Sequence, residues 1–349
     1  MHMADALLAP GTAAVMYAAS AAAAGYSIYK LRKDDNPQKL PTMAVTAALV
    51  FAGQMINYTI PGTGSSGHMC GGMLLSALLG PQAGFLSMIV ILAIQCLFFA
   101  DGGLMALGAN IWNMAFYGCF VGYYLIWRPI IRSGLFGEGK GAERARIIAA
   151  SVIGCVVTLQ LGAFSVVLET SLSGITELPF GAFVALMQPI HLAIGLVEGL
   201  VTAAVLLFVY ESRPELLQDV QAEPGEGGKR SFASVIAVLA VVALLVGGGL
   251  SLLASSNPDG LEWALFGNAE EGYSENMGLD EESFGIESAA AEKAGAIQEA
   301  TSFLPDYAFA DSDTPVGTTV SGVVGSALVA LVAVLISLAG GFFRRKKNG

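Results

Sequence analysis

Long stretches of this 349-residue chain carry no Asp, Glu, Lys or Arg, and that constrains its fold more than any motif. Ala6 to Tyr29, Leu40 to Ala100, Gly102 to Trp127, Ile147 to Leu168 and Ser231 to Asn257 are among them. A helix needs about 20 mostly apolar residues to cross a bilayer, so each stretch holds at least one crossing. Leu40 to Ala100 has room for two, or for three if one is short. Composition agrees. Charged residues make up 13% of the chain and mean hydropathy is +0.65, against about 25% charged in soluble domains. A soluble enzyme, a disordered chain and a secreted disulfide scaffold are excluded. The four cysteines, Cys70, Cys96, Cys119 and Cys155, lie in or beside apolar runs without a CxxC pair, which argues against structural disulfides and a zinc ribbon.

The net charge of −11 belongs to one segment, because Asn257 to Asp313 holds 14 acidic residues and one basic residue, Lys293. Elsewhere the basic residues cluster at Lys30–Lys39, Arg128–Arg146, Arg213–Arg230 and Arg344–Lys347. Short basic loops stay cytoplasmic. Placing all four clusters inside puts the N-terminus and the acidic segment outside and the C-terminus inside. The predicted fold class is an all-α integral membrane protein with about nine transmembrane helices. They run near Pro10–Tyr29, Thr42–Thr59, Met69–Leu79 (a short one), Ala83–Ala100, Leu104–Trp127, Ile147–Leu168, Phe180–Tyr210, Phe232–Ala254 and Val316–Phe343. Gly80-Pro81 and Asp101-Gly102-Gly103 serve as turns. Pro224 to Gly228 reads as a linker. It divides a seven-helix unit (1–212) from a two-helix unit (232–349) across a cytoplasmic segment (213–231), with the polar external domain at 257–313. No repeat is visible. The start, Met1-His2-Met3-Ala4-Asp5, lacks a basic region and a cleavage site, so Met1 is the expected outer N-terminus in the cell membrane.

Three histidines exist, and His2 and His68 fall on the same side of the membrane, so they can meet. With a free terminus, the Met1 amine, the His2 backbone nitrogen and His2 Nδ1 can close fused chelate rings in one plane. An imidazole from His68 would complete four nitrogens. Such a square suits Ni(II) or Cu(II) rather than Zn(II) or Mg(II), and binding releases protons. Each residue also has a plainer reading: a mobile terminus for His2, and a hydrogen-bonded surface imidazole for His68. The glycine-rich loop Pro61–Gly72 fits either a simple turn or a backbone closing on a buried ligand. His191 and Glu198 lie seven residues apart, on one face of a predicted helix. An intramembrane acid such as Glu198 is costly and marks function. Asn110, Asn113 and Gln95 can orient ligands or hydrogen-bond between helices. The helical-looking stretch Asp280–Ser302 lacks calcium-loop spacing, and nothing in the chain points to catalysis.

The opening Met1 to Leu7, the loop Gly64-Ser65-Ser66-Gly67-His68-Met69-Cys70-Gly71-Gly72, the run Leu107 to Met114 and the run His191 to Leu200 closely resemble the CbiM/NikM family. These are substrate-binding membrane subunits of energy-coupling-factor nickel and cobalt importers. The resemblance covers about Met1 to Tyr210. The remainder, with Asn257-Pro258-Asp259-Gly260-Leu261-Glu262, looks like a NikN/CbiN-type or PDGLE segment, so the whole resembles a NikM–NikN fusion. This implies a helical fold whose added first helix brings the terminus into the site. It also implies a metal held by the Met1 amine, the His2 amide and imidazole, and His68. Ser66, Asn110, Asn113, His191 and Glu198 would be supporting or coupling residues. Ni(II) is the implied transported ligand, with Co(II) the alternative. The cobalt-type loop, with a Ser/Cys-containing run before its His and a Pro after it, is absent, and Cys70 has no assigned role. Implied partners are a membrane coupling (T) subunit, a cytoplasmic ATPase and lipid, with no nucleic acid. No ATPase sequence is present, so the chain reads as a transport subunit rather than an enzyme. A membrane scaffold recruiting partners through its acidic segment, and a channel supported only by Glu198, remain alternatives.

Overall fold

The computed structural model describes residues 1–32, 36, 38–175, 177–220, 230–269, 271–273, 275–279, 284–309 and 316–345. The predicted linker at 224–228, parts of the basic clusters and parts of the acidic segment lie outside them.

The long elements are helices α1 (Pro10–Leu31), α2 (Lys39–Gln54), α3 (Gly72–Leu79), α4 (Pro81–Phe99), α5 (Leu107–Ile131), α6 (Lys140–Leu172), α7 (Phe180–Ser212), α8 (Phe232–Gly248) and α11 (Val316–Arg345). Two short helices, α9 (Gly260–Phe266) and α10 (Ala289–Thr301), lie between α8 and α11. Their starts are legible in local chemistry. Pro10 and Pro81 occupy first-turn positions where no backbone donor is needed. The Ser231 and Ser288 hydroxyls accept the Ser234 and Ala291 amides at 3.1 Å. The predicted helical stretch Asp280–Ser302 contains α10, and its residues 280–283 lie outside the described set.

Among the described residues six helices, α4 to α8 and α11, are long and apolar enough to cross a membrane, rather than nine. Helix α1 has 22 residues, many of them Ala, Gly or Ser. Helix α2 ends at Gln54, short of the predicted Thr59, because Tyr58–Ile60 is a strand, β1. It pairs antiparallel with β2 (Ser65–Gly67), in register Tyr58 to Gly67, Thr59 to Ser66 and Ile60 to Ser65. The predicted crossing near Met69–Leu79 is corrected most. Gly71 holds a left-handed φ of 83° and delays the helix to Gly72. Eight residues then rise about 12 Å, well short of the roughly 30 Å of hydrocarbon. The segment His68–Gly71 that precedes α3 is buried, non-helical chain.

One end of the bundle gathers basic residues. Arg132 pairs there with Asp219, which also accepts the Tyr123 hydroxyl at 2.6 Å. The C-terminus of α3 joins this end, since Gln218 donates its amide to Ala77 O at 2.8 Å and its side chain to Leu78 O at 3.1 Å. The N-terminus, the hairpin and α9 meet at the opposite end. Between them lies a core that includes fully buried Phe51, Phe85, Phe99, Trp127 and Phe183. Helices α8 and α11 pack on α2 and on each other. Their contact is backbone to backbone, because a Cβ at Gly322 would stand 2.0 Å from Gly247 O. Such small-residue contacts replace the hydrophobic effect as the glue between membrane helices.

Gly322→Leu should therefore force α8 and α11 apart at a cost of about 1–3 kcal/mol. Thermal unfolding in detergent should show a lower midpoint. Gly295→Ala should not lower the midpoint, since nothing lies within 4 Å of that position and Ala favours a helix interior over Gly.

Candidate metal centre

The first eight residues are threaded into the protein rather than lying on it. Met3, Leu7 and Leu8 are buried and Met1 is 5% exposed. Asn110 clamps Met3 in both directions: its Oδ1 accepts the Met3 amide at 2.8 Å and its Nδ2 donates to the Met3 carbonyl at 3.2 Å. Gly103 N donates to that carbonyl at 2.9 Å, and Asp5 Oδ1 accepts Ala106 N at 2.9 Å. The expected turn Asp101-Gly102-Gly103 thus cradles the chain start. A side chain at Gly103 would collide with Asp5.

His68 arrives from the hairpin. A Cβ at Gly67 would meet Ile194 Cγ1 at 2.5 Å, so only glycine lets the strand press against α7. Beyond His68, the Glu198 carboxylate accepts Cys70 N at 2.8 Å and Gly71 N at 2.9 Å. Gln54 Nε2 donates to Cys70 O at 2.7 Å, and Gln95 Nε2 donates to Gln54 Oε1 at 2.9 Å. Every one of these groups is buried, and non-helical chain survives at membrane depth only when its polar groups are satisfied in this way.

These two approaches bring His2 and His68 together, their rings stacked 5.3 Å apart and 22° from parallel. His68 Nδ1 donates to Met69 O at 3.1 Å, which leaves Nε2 with its lone pair. His2 Nδ1 faces Asp101 Oδ1 at 3.0 Å and Nε2 faces Gln95 Oε1 at 3.3 Å. The Met1 ammonium is bound by the Asp259 carboxylate, whose Oδ2 is also 3.9 Å from His68 Nε2. Burial pushes His2 below its usual range. Burial, then the neighbouring amine and His2, takes His68 down to about 4. For the Met1 amine burial works downward, but the Asp259 charge outweighs it and the net shift is upward. Burial opposes the Asp259 charge as well, and the amine and His68 more than compensate, holding it well below the carboxylate range.

Asp259 and Asp101 were missed in the sequence as site residues. Asp259 caps α9, its Oδ1 accepting Leu261 N at 2.8 Å and Glu262 N at 3.0 Å, while Glu262 reaches back to Asp259 N at 3.1 Å. That capping box is legible as Asp-x-x-Glu, but nothing local says where its second oxygen points. The negative charge of Asp259, then burial, lifts Glu262 to about 7. Ser66, expected as a supporting or coupling residue, pins this segment. Its amide donates to Pro258 O and its hydroxyl to Asn257 O, both at 2.8 Å. Asp101 accepts the Tyr307 hydroxyl from the far side of the external segment.

The remaining expected residues are dispersed around this core. Asn113 Nδ2 donates to Glu169 Oε2 at 2.8 Å, and Glu169 is a buried acid that sequence reading missed, lying at the edge of a charge-free run. His191 donates from Nδ1 to Met187 O at 2.8 Å and lines a small cavity with Met1, His68, Cys70 and Asp259. Among the described residues no three His, Cys, Asp or Glu side chains converge to hold a metal by themselves.

Residues 2–216 match the family described as the cobalt uptake substrate-specific transmembrane region, CbiM, and residues 233–340 match the PDGLE domain. A protein of Archaeoglobus fulgidus provisionally named a fused nickel transport protein, NikMN, is 37% identical over 94% of this chain and 95% of its own length. The fused nickel transport protein NikMN of Rhodobacter capsulatus is 32% identical over 94% of this chain and 95% of its own. A crystal structure described as a truncated transition metal transporter superposes with a TM-score of 0.52 at 31% identity, covering 60% of this chain and 99% of that one.

Two outcomes follow from the geometry. Glu198→Ala strands two buried amides at about 1–3 kcal/mol each, so the thermal midpoint should drop, whereas Glu198→Gln, which keeps one acceptor, should lose less. His68 stays neutral when folded down to about pH 4, while an unfolded imidazole takes its proton near 6.5. Stability of the metal-free protein should therefore decline as pH falls from about 6.5 to about 4. His68→Gln should flatten that part of a thermal-midpoint profile, and an unchanged slope would count against a buried neutral ring.

Proposed function

The chain belongs to the CbiM family of nickel and cobalt transport membrane components, with a PDGLE domain joined behind it, and from that membership we propose that it binds Ni(II) for import. The ion is held at the outer side by the Met1 amine, the His2 amide nitrogen, His2 Nδ1 and His68 Nε2. One observation carries this reading: two buried imidazoles from distant parts of the chain stack beside a buried chain-terminal amine. The nickel transport names of the two fused relatives support the choice of metal.

Binding exchanges partners rather than building a site from nothing. The amine leaves Asp259 and gives up a proton. His2 Nδ1 turns from Asp101 to the ion, and the His2 amide loses its proton. Four nitrogens in a square suit Ni(II), and proton release makes uptake stronger as pH rises. The displaced carboxylates of Asp101 and Asp259 stay close enough to offset the charge of a dication. Asn110 sets the terminus and Glu198 sets the His68 loop, so both arms are held before the ion arrives.

In this reading the basic end of the bundle faces the cytoplasm and His68 faces outward, in the cell membrane. Residues 1–212 form the metal-binding transport unit, and residues 232–349 form the fused unit that reaches over it. A membrane coupling subunit and a cytoplasmic ATPase drive release inward.

An Ala inserted between Met1 and His2 breaks the fused chelate rings while keeping every side chain. Equilibrium dialysis should show Ni(II) affinity falling about 100-fold, some 3 kcal/mol, in that variant and in His2→Ala. The loaded wild type should be yellow and diamagnetic. Wild-type affinity in the insertion variant would overturn the terminal-amine chelate.

A further inference from the structure

His191 has a role that hydrogen bonding alone leaves unfilled. It is 1% exposed, its Nδ1 is committed to Met187 O at 2.8 Å, and its Nε2 has no partner among the described residues. A buried polar atom without a partner is rare and calls for an explanation. His68 shows the same arrangement, with Nδ1 on a main-chain carbonyl and Nε2 free to offer its lone pair. An imidazole held this way through its other nitrogen is set up as a metal ligand. Both rings line one small cavity with the Met1 terminus, Cys70 and Asp259. Across it, the Gly260 turn packs on the His191 ring, where a Cβ would stand 3.1 Å from Cε1.

We propose that His191 Nε2 is a fifth donor when Co(II) occupies the site, approaching it from outside the plane of the four nitrogens, and that it decides how well Co(II) competes with Ni(II). The inference rests on the four-nitrogen reading above. Square-planar low-spin Ni(II) has a filled orbital perpendicular to its plane, which repels a fifth donor. Low-spin Co(II) has one electron fewer there and takes an axial nitrogen. The same plane of ligands therefore holds nickel with little help from His191 and holds cobalt with its help.

The experiment uses the full-length purified chain loaded anaerobically with Co(II) or Ni(II). In electron paramagnetic resonance, an axial nitrogen splits each parallel line of low-spin Co(II) into a triplet. The wild type should show that triplet and His191→Phe should not. By equilibrium dialysis, His191→Phe should lose about tenfold in Co(II) affinity, the scale of a tuning ligand, while Ni(II) affinity stays within about threefold. Retained nickel binding also reports that the variant is folded. No triplet in the wild-type spectrum overturns the proposal without any variant, and so do equal losses for the two metals. His2→Ala separates the two levels of the argument. If it leaves both metals bound, the four-nitrogen reading fails and this inference fails with it. If it abolishes binding while His191→Phe keeps the triplet, only the fifth donor is wrong.

Discussion

The ammonium of Met1 is buried, and a charge taken out of water without a partner costs several kcal/mol. Asp259 supplies the partner, 258 residues away in the chain. Much of the surrounding architecture can be read as the means of holding that pair together. The carboxylate is fixed because its other oxygen caps α9, and α9 is fixed because Ser66 grips the two residues before Asp259. The amine is fixed because Asn110 and Gly103 hold Met3. Removing any one of these loosens a charge that has nowhere else to go.

A second constraint comes from the backbone. Between the hairpin and α3 the chain runs buried but not helical, so its amides and carbonyls need side-chain partners. Glu198 and Gln54 provide them. Gln54 is linked through Gln95 to the His2 ring. These bonds form one connected chain, joining the loop that carries His68 to the terminus that carries His2. The buried acid Glu198 braces the loop that carries His68.

The PDGLE segment does more than follow the transport unit in sequence. Asp259 reaches the Met1 amine, Tyr307 reaches Asp101, and Gln298 donates to Gly102 O at 2.7 Å, all beside His2 or the terminus. The joined domain covers the place where His2 and His68 meet and contributes charge to it. The acidity of this segment is therefore not only a solvated face.

The helical membrane class, the meeting of His2 with His68 and the burial of Glu198 were all legible in the chain itself, because apolar length, charge clustering and an isolated acid in an apolar run are local signals. The number of crossings was less legible. The run from Leu40 to Ala100 is uniformly apolar, and hydropathy cannot tell a short helix entered by a descending loop from a full span. Only the fold could show that Gly71 delays α3, that Asp259 holds the Met1 amine, or that His2 Nδ1 turns to Asp101. Those contacts join residues tens to hundreds of positions apart. Their partners are chosen by packing between helices, to which no spacing along the chain corresponds.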